Sequence, residues 1–185
     1  MLLLVVKILA VIVLLMCLGF IAYWAAAVFK GDCVLKVEKT KTTPFKVVDM
    51  GPRSVTLACT IPIKNVGRQL GTIMDAFVRT YLPFEQYDEE RFTAHLTDND
   101  VPRDDDYWQA YIVDPGKSKK FLITLEIKGK GDNILRDLET FTEIAIDIIY
   151  QVVARSDYYY AKTRIILTKE ELRNALYEYT SAEVK

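Results

Sequence analysis

The first stretch of the chain shows no alternation of hydrophobic and polar positions. From Ile8 to Phe29 there are 22 residues without a charge, and Lys7 is the sole ionisable side chain before Lys30. At ~1.5 Å per residue a helix over that run is about 33 Å long, enough for a ~30 Å hydrocarbon core. The pattern predicts a membrane-crossing helix with Ile8, Leu14, Phe20, Trp24 and Phe29 among its apolar positions. Tyr23 and Trp24 lie near its far end, where aromatic rings favour the interface. From Lys30 onward the pattern turns to short runs of period two. Val34 to Lys41 reads as a half-buried strand, with Leu35 and Val37 on one face and Lys36 and Glu38 on the other. Phe45 to Val48 resumes it after Pro44. Ser54 to Ile63 is the clearest strand: Val55, Leu57, Cys59, Ile61 and Ile63 share one face.

Asn65-Val66-Gly67 marks a turn, and Gln69 to Tyr81 is extended. Leu82 to His95 is mixed in character, and Asp98 to Asp106 reads as a polar loop. Tyr107 to Val113 alternates as a strand, and Asp114-Pro115-Gly116 is a turn, since proline presets φ and glycine accepts positive φ. Phe121 to Ile127 is a further strand. Ile134, Leu135, Leu138 and Phe141 recur at helical spacing. Thr142 to Ala154 and Tyr158 to Leu167 form a hairpin around Arg155-Ser156-Asp157. Thr168 to Glu171 has capping-box spacing. It opens a last helix over about Lys169 to Tyr179, with Leu172, Ala175, Leu176 and Tyr179 on one face.

Seven or eight strands with frequent turns predict a mainly β protein: an N-terminal transmembrane helix, an antiparallel β-sandwich, which the resemblance given below makes immunoglobulin-like, and a short C-terminal helix. The expected division is an anchor over 1–30, a sandwich over 31–168 and a C-terminal helix and tail over 169–185. Composition changes this picture little. The 51% hydrophobic content is inflated by the first segment, and the net charge of −1 carries no basic excess that would suit nucleic acid. The apolar run is too long for a cleaved leader. Leu15-Met16-Cys17 lacks the small residues that precede a lipidated cysteine. Flanking charges do not fix the orientation: Lys7 and the α-amine face Lys30, Lys36, Lys39 and Lys41, a count that favours a cytoplasmic domain. Cys33 and Cys59 are a candidate disulfide, or two buried thiols.

Candidate chemistry is sparse. His95 is the sole histidine, so a serine or cysteine hydrolase would have to use it, and no Gly-x-Ser-x-Gly elbow accompanies it. Neither a glycine-rich phosphate loop nor a Cys-x-x-Cys pair occurs, and no cofactor is expected. Asp98, Asp100, Asp104 and Asp106 supply oxygen atoms of the kind calcium takes. They lack EF-hand spacing, and a solvated acidic loop is the alternative. Tyr158, Tyr159 and Tyr160 place aromatics on both faces of one strand. They offer either cross-strand packing or an exposed contact patch. Leu172, Leu176 and Tyr179 on the last helix pose the same choice.

Two stretches carry a resemblance: Ile63-Lys64-Asn65-Val66-Gly67 ending one strand, and Val113-Asp114-Pro115-Gly116-Lys117-Ser118 opening another. They resemble tethered immunoglobulin-like sandwiches, notably the late-embryogenesis-abundant water-stress (WHy) domain and related bacterial modules, over about Val34 to Leu167. Val66-Gly67 stands where that family has Asn-Pro-Asn or a similar turn. The resemblance implies a fold, a tether and an extracytoplasmic domain, with no catalytic residues. The expectation is a single-pass membrane protein that is not an enzyme: a binding or structural module, and an accessory subunit of a membrane assembly. Its partners would be the lipid bilayer and a protein or a second copy. A lipid or small-ligand carrier with a cavity between its sheets is the alternative, and a hydrolase using His95 is the other.

Overall fold

The computed structural model describes residues 2–81, 90–103, 105, 107–155 and 158–183. Helix α1, Leu2–Lys30, has its apolar side chains exposed along its length. Among the described residues it is the one helix long and apolar enough to cross a membrane, a test that a signal sequence also passes. Gly31 ends it in the left-handed conformation, at φ +66, and donates its N–H to the Val28 carbonyl. Glycine at this position satisfies an orphan carbonyl without a Cβ penalty.

Nine described strands follow, in two antiparallel sheets. They are β1 (Leu35–Val37), β2 (Lys46–Met50), β3 (Ser54–Asn65), β4 (Gly71–Tyr81), β5 (Glu90–Asp98), β6 (Tyr111–Val113), β7 (Ser118–Gly129), β8 (Glu143–Val153) and β9 (Tyr158–Thr168). Sheet A runs β1-β3-β7-β5, with β2 also paired to β3, and sheet B runs β6-β4-β8-β9. Alternation in the sequence builds the core directly. Val55, Leu57, Cys59, Ile61 and Ile63 from β3 meet Phe121, Ile123, Leu125 and Ile127 from β7. Ile144, Ile146, Ile148, Tyr150 and Val152 from β8 close over them from sheet B. Each such side chain contributes about 1.5–3 kcal/mol relative to exposure.

The open sides of the sandwich are covered. A short helix α2, Ile134–Asp137, starts at Asn133, whose side chain accepts from the Leu135 and Arg136 amides. Helix α3, Lys169–Glu183, packs against the edge strands β2 and β9. Thr168 Oγ1 accepts from the Glu171 amide at 3.2 Å, as a capping residue should. The Glu171 carboxylate does not reach back to complete the box. It accepts from the Phe45 amide at 3.0 Å and so pins α3 to the strap before β2.

Three elements differ from the sequence reading. The strand expected over 34–41 is confined to β1, and Lys39–Lys41 forms a 3-10 turn ahead of Pro44. The mixed stretch ending at His95 contains β5, which pairs along β7 from Glu90↔Gly129 to Asp98↔Phe121. Small Ala94 among the inward residues, and threonines opposite them, blur the period there. Conversely, the strand expected over 107–113 shortens to β6. Trp108 turns inward instead, with its ring centroid 5.2 Å from that of Phe121, and so plugs the side of the sandwich where the chain passes from sheet A to sheet B.

Candidate interaction surface

Strand registers place the turns after β3, β6 and β8 at the end of the sandwich where α1 arrives. Leu35 pairs with Asn65, Gly71 with Val113, Thr72 with Val153 and Val153 with Tyr158. Asn65 is fully buried at the centre of this end. Its Nδ2 donates to the Gln69 carbonyl at 2.8 Å and the Val113 carbonyl at 2.9 Å, and its Oδ1 accepts from the Gly67 amide at 3.0 Å. Its backbone joins the 114–117 turn: its N–H donates to Lys117 O, and its carbonyl accepts from Gly116 N. One side chain thus satisfies three backbone groups from two turns, one of them in a fully buried bond and two partly buried. Both stretches that carried the sequence resemblance meet here.

The end of α1 is fastened to the same turn. Arg68 N donates to Asp32 O at 3.0 Å, Val66 N donates to Val34 O at 2.8 Å, and the Arg68 guanidinium donates to the Phe29 carbonyl at 3.3 Å. A Cβ on Gly67 would lie 2.3 Å from Asp32 O, so backbone approaches backbone here at a distance only glycine permits.

The outer faces of the two sheets differ in chemistry. Sheet A turns out Thr56, Thr60, Thr93, Thr97, Thr124 and Glu126 from strands β3, β5 and β7. Sheet B turns out aromatic and cationic side chains. Its rows set Phe77 against Ile149 and Lys162, Arg79 against Asp147 and Arg164, and Tyr81 against Ala145 and Ile166. Tyr81 is 47% exposed, Ile166 47%, Tyr158 64% and Tyr160 64%. Arg164 Cζ lies 5.2 Å from the Tyr81 ring centroid and Lys162 Nζ 6.0 Å, while Arg79 covers Phe77 at 5.6 Å.

Asp147 organises these cations. Arg164 Nε and Nη2 grip its two oxygens at 2.6 and 3.0 Å, and Lys162 Nζ adds a contact at 3.1 Å. The carboxylate is wholly covered, yet only by these half-exposed side chains. The Arg164 hydrogen bonds outweigh desolvation and hold its pKa down, at about 2. The sequence pattern did not single out this pair. The hairpin read from the sequence pairs residue 154 with 158 and so sets 147 opposite 165; the register of the structure pairs Val153 with Tyr158 and moves Asp147 opposite Arg164.

The tyrosine run divides. Tyr158 and Tyr160 point out of sheet B and meet edge to face, with centroids 6.2 Å apart. Tyr159 points inward, where its hydroxyl accepts from the Leu35 amide at 2.9 Å, and so belongs to the packing. On α3, Leu172 is 2% exposed and Leu176 partly buried, both packed with the sandwich core. Of the two roles weighed for this helix, Leu172 takes the packing one, and it meets the outside only at the floor of a groove. Tyr179 is half-buried. Leu138, Leu172, Leu176 and Tyr177 line a shallow apolar groove of about 400 Å³ between α2 and α3.

The remaining candidates are scattered. Lys119 Nζ lies 2.8 Å from both Asp98 and Asp100, and its hydrogen bond holds Asp100 below the usual carboxylate range. Asp104 and Asp106 lie outside the described residues, and no metal-ligand cluster occurs among the described ones. Cys33 and Cys59 are free thiols, which corrects the candidate disulfide. Cys33 lies by Asn65 and Cys59 lies six residues up β3, about 20 Å away at ~3.3 Å per residue, far beyond disulfide reach. Burial pushes the Cys59 thiol up to about 12. His95 faces out of β5 opposite Thr124 while Cys59 faces the core, so the two stand on opposite faces of sheet A. Ser54 and Ser118 are four and six residues along the ladder from that row, too far for a hydrogen bond to His95.

A family model described as the N-terminal Ig-like domain of F420-0:gamma-glutamyl ligase matches residues 87–170. Over those residues the chain is similar to an Ig-like domain, in keeping with the two antiparallel sheets, and the matching family differs from the water-stress one. No curated protein matches the sequence. Among solved structures, one from Bordetella pertussis carrying the name ApaA is 14% identical, with a TM-score of 0.43 over 74% of this chain and 94% of that one. The GAE domain of GGA2p from Saccharomyces cerevisiae is 6% identical, with a TM-score of 0.36 over 74% of this chain and 98% of that one.

Proposed function

We propose that the protein is a single-pass membrane protein whose Ig-like domain is a binding module, an accessory subunit of a membrane assembly rather than an enzyme. The contrast between the sheets carries this reading. The outer face of sheet B combines exposed Tyr81, Tyr158 and Tyr160 with Arg79, Lys162 and Arg164, the residue types enriched where proteins bind proteins. The outer face of sheet A is threonine-rich and carries no Phe, Tyr or Trp side chain on β3, β5 or β7. A carrier function finds less support, since the groove of about 400 Å³ between α2 and α3 opens outside the sandwich and not between its sheets.

The test is photocrosslinking in native membranes, with a photoreactive phenylalanine at position 160 and, separately, at position 93 as a sheet A control. The expected result is a discrete adduct from position 160 alone, lost when Tyr81 and Tyr158 are both replaced by serine. Equal adducts from both positions, or a chain that extracts gently as a lone monomer and gives none, would refute the reading.

A further inference from the structure

We infer that the end of the sandwich nearest α1 is itself a membrane contact, seated on anionic phospholipid headgroups beside the point where α1 leaves the bilayer. This rests on α1 spanning the membrane. The connection leaves little freedom. Helix α1 ends at Lys30, and Cys33 is already buried in the domain at 3% exposure, so only Gly31 and Asp32 intervene. Both are held, Gly31 by Val28 and Asp32 by Arg68. The domain therefore cannot rise from the surface on a slack tether.

Its tip also reaches down beside the helix. Arg155, in the turn between β8 and β9, shares a groove of about 330 Å³ with Tyr23, Trp24, Val28, Gly31 and the acidic Asp32, so one cation and one carboxylate flank it. From Trp24 to Gly31 is about 10 Å of helix at ~1.5 Å per residue. Aromatic side chains at helix ends sit at headgroup level. With Trp24 there, the guanidinium of Arg155 stands among lipid phosphates.

The rest of that end has matching chemistry. Three apolar side chains project from its turns and adjoining strands: Val66 at 51% exposure, Leu70 at 57% and Ile112 at 71%. Arg68, Lys117 and Arg155 are exposed beside them, against exposed Asp114 and half-buried Asp32. In water such apolar tips are unfavourable. At an interface they bury in the acyl boundary while the cations meet phosphate, which is how surface-lying amphipathic segments bind.

The full chain on a Cys17→Ser background, reconstituted in vesicles, tests this. Single nitroxide labels are placed through Phe20→Cys, Leu70→Cys and, at the opposite end of the sandwich, Lys128→Cys, and collisions with oxygen and a water-soluble nickel chelate are compared. The label at 20 should sit in hydrocarbon and the label at 128 in water. The label at 70 should meet the nickel chelate several-fold less often than the label at 128 in phosphatidylglycerol vesicles. Combined Arg155→Glu and Lys117→Glu should raise that rate toward the value at 128 and leave the label at 20 in place. Protection at 70 in phosphatidylcholine as well would show that the apolar tips suffice to seat the domain. With 20 in hydrocarbon, a label at 70 as exposed as that at 128 in both lipids overturns the contact but not the anchor. A label at 20 in water removes both.

Discussion

Removal of the Asn65 side chain should cost more than any other polar substitution in the domain. Asn65→Ala deletes two donors and one acceptor at once, leaving the Gln69 and Val113 carbonyls and the Gly67 amide without that partner. An unsatisfied buried backbone group costs about 1–3 kcal/mol. Part of that is regained, because water can enter at a turn. A net loss of about 4 kcal/mol follows, and at ~2–4 °C per kcal/mol for a domain of this size, Tm should fall by about 8–16 °C. Thermal unfolding in detergent, followed by near-ultraviolet circular dichroism, measures the shift. Hydrogen exchange supplies the local signature: the amides of Gly67 and Gly116 should lose protection while those in the middle of β8 keep theirs. Asn65→Asp is the sharper variant, since it keeps the shape and points oxygen at two carbonyl oxygens. It should be worse than alanine at neutral pH and partly recover in acid, where the carboxyl regains one proton to donate. A fall in Tm of under about 3 °C for Asn65→Ala would show that the two turns hold together without it, and would refute the reasoning.

Two further outcomes follow from described contacts. Asp147 has a depressed folded pKa, so its contribution is full above the ordinary carboxylate range and is lost as pH falls from about 4 to about 2. Its half-exposed partners limit that contribution to about 1 kcal/mol. Urea titrations should therefore show Asp147→Asn less stable by that amount at pH 7 and level with the parent near pH 2. Leu172→Ala should cost about 2–4 kcal/mol by chemical denaturation, whereas Tyr177→Ala, 73% exposed on the same helix, should stay within about 0.5 kcal/mol.

The sequence revealed most where one strand alone determines the outcome. The alternation over Ser54 to Ile63 and over Ile144 to Val152 names buried residues correctly because each inward side chain lies two positions from the next. The apolar run of α1 is equally local. Cross-strand facts were out of reach. The face of sheet B joins Phe77 and Tyr81 on β4 to Lys162 and Arg164 on β9, and only register brings residues more than eighty positions apart into one patch. Leu172 on α3 admitted both roles for a related reason. A helix with one apolar stripe has the same pattern whether that stripe meets its own core or another protein, and the Glu171 tie to Phe45, a tertiary contact, is part of what decides it.

The fastening of α1 to the β3–β4 turn has a geometric consequence. A helix advances about 100° per residue. With Gly31 capped by Val28 and Arg68 bonded to the Phe29 carbonyl, the bearing of sheet B around the axis of α1 is tied to the face of α1 that carries Phe20 and Trp24. Inserting or deleting one residue before Gly31 would barely change the distance of the domain along that axis. It would swing Tyr160 and Arg164 through more than a quarter turn and, on the proposal that α1 spans a bilayer, toward a different neighbour in its plane.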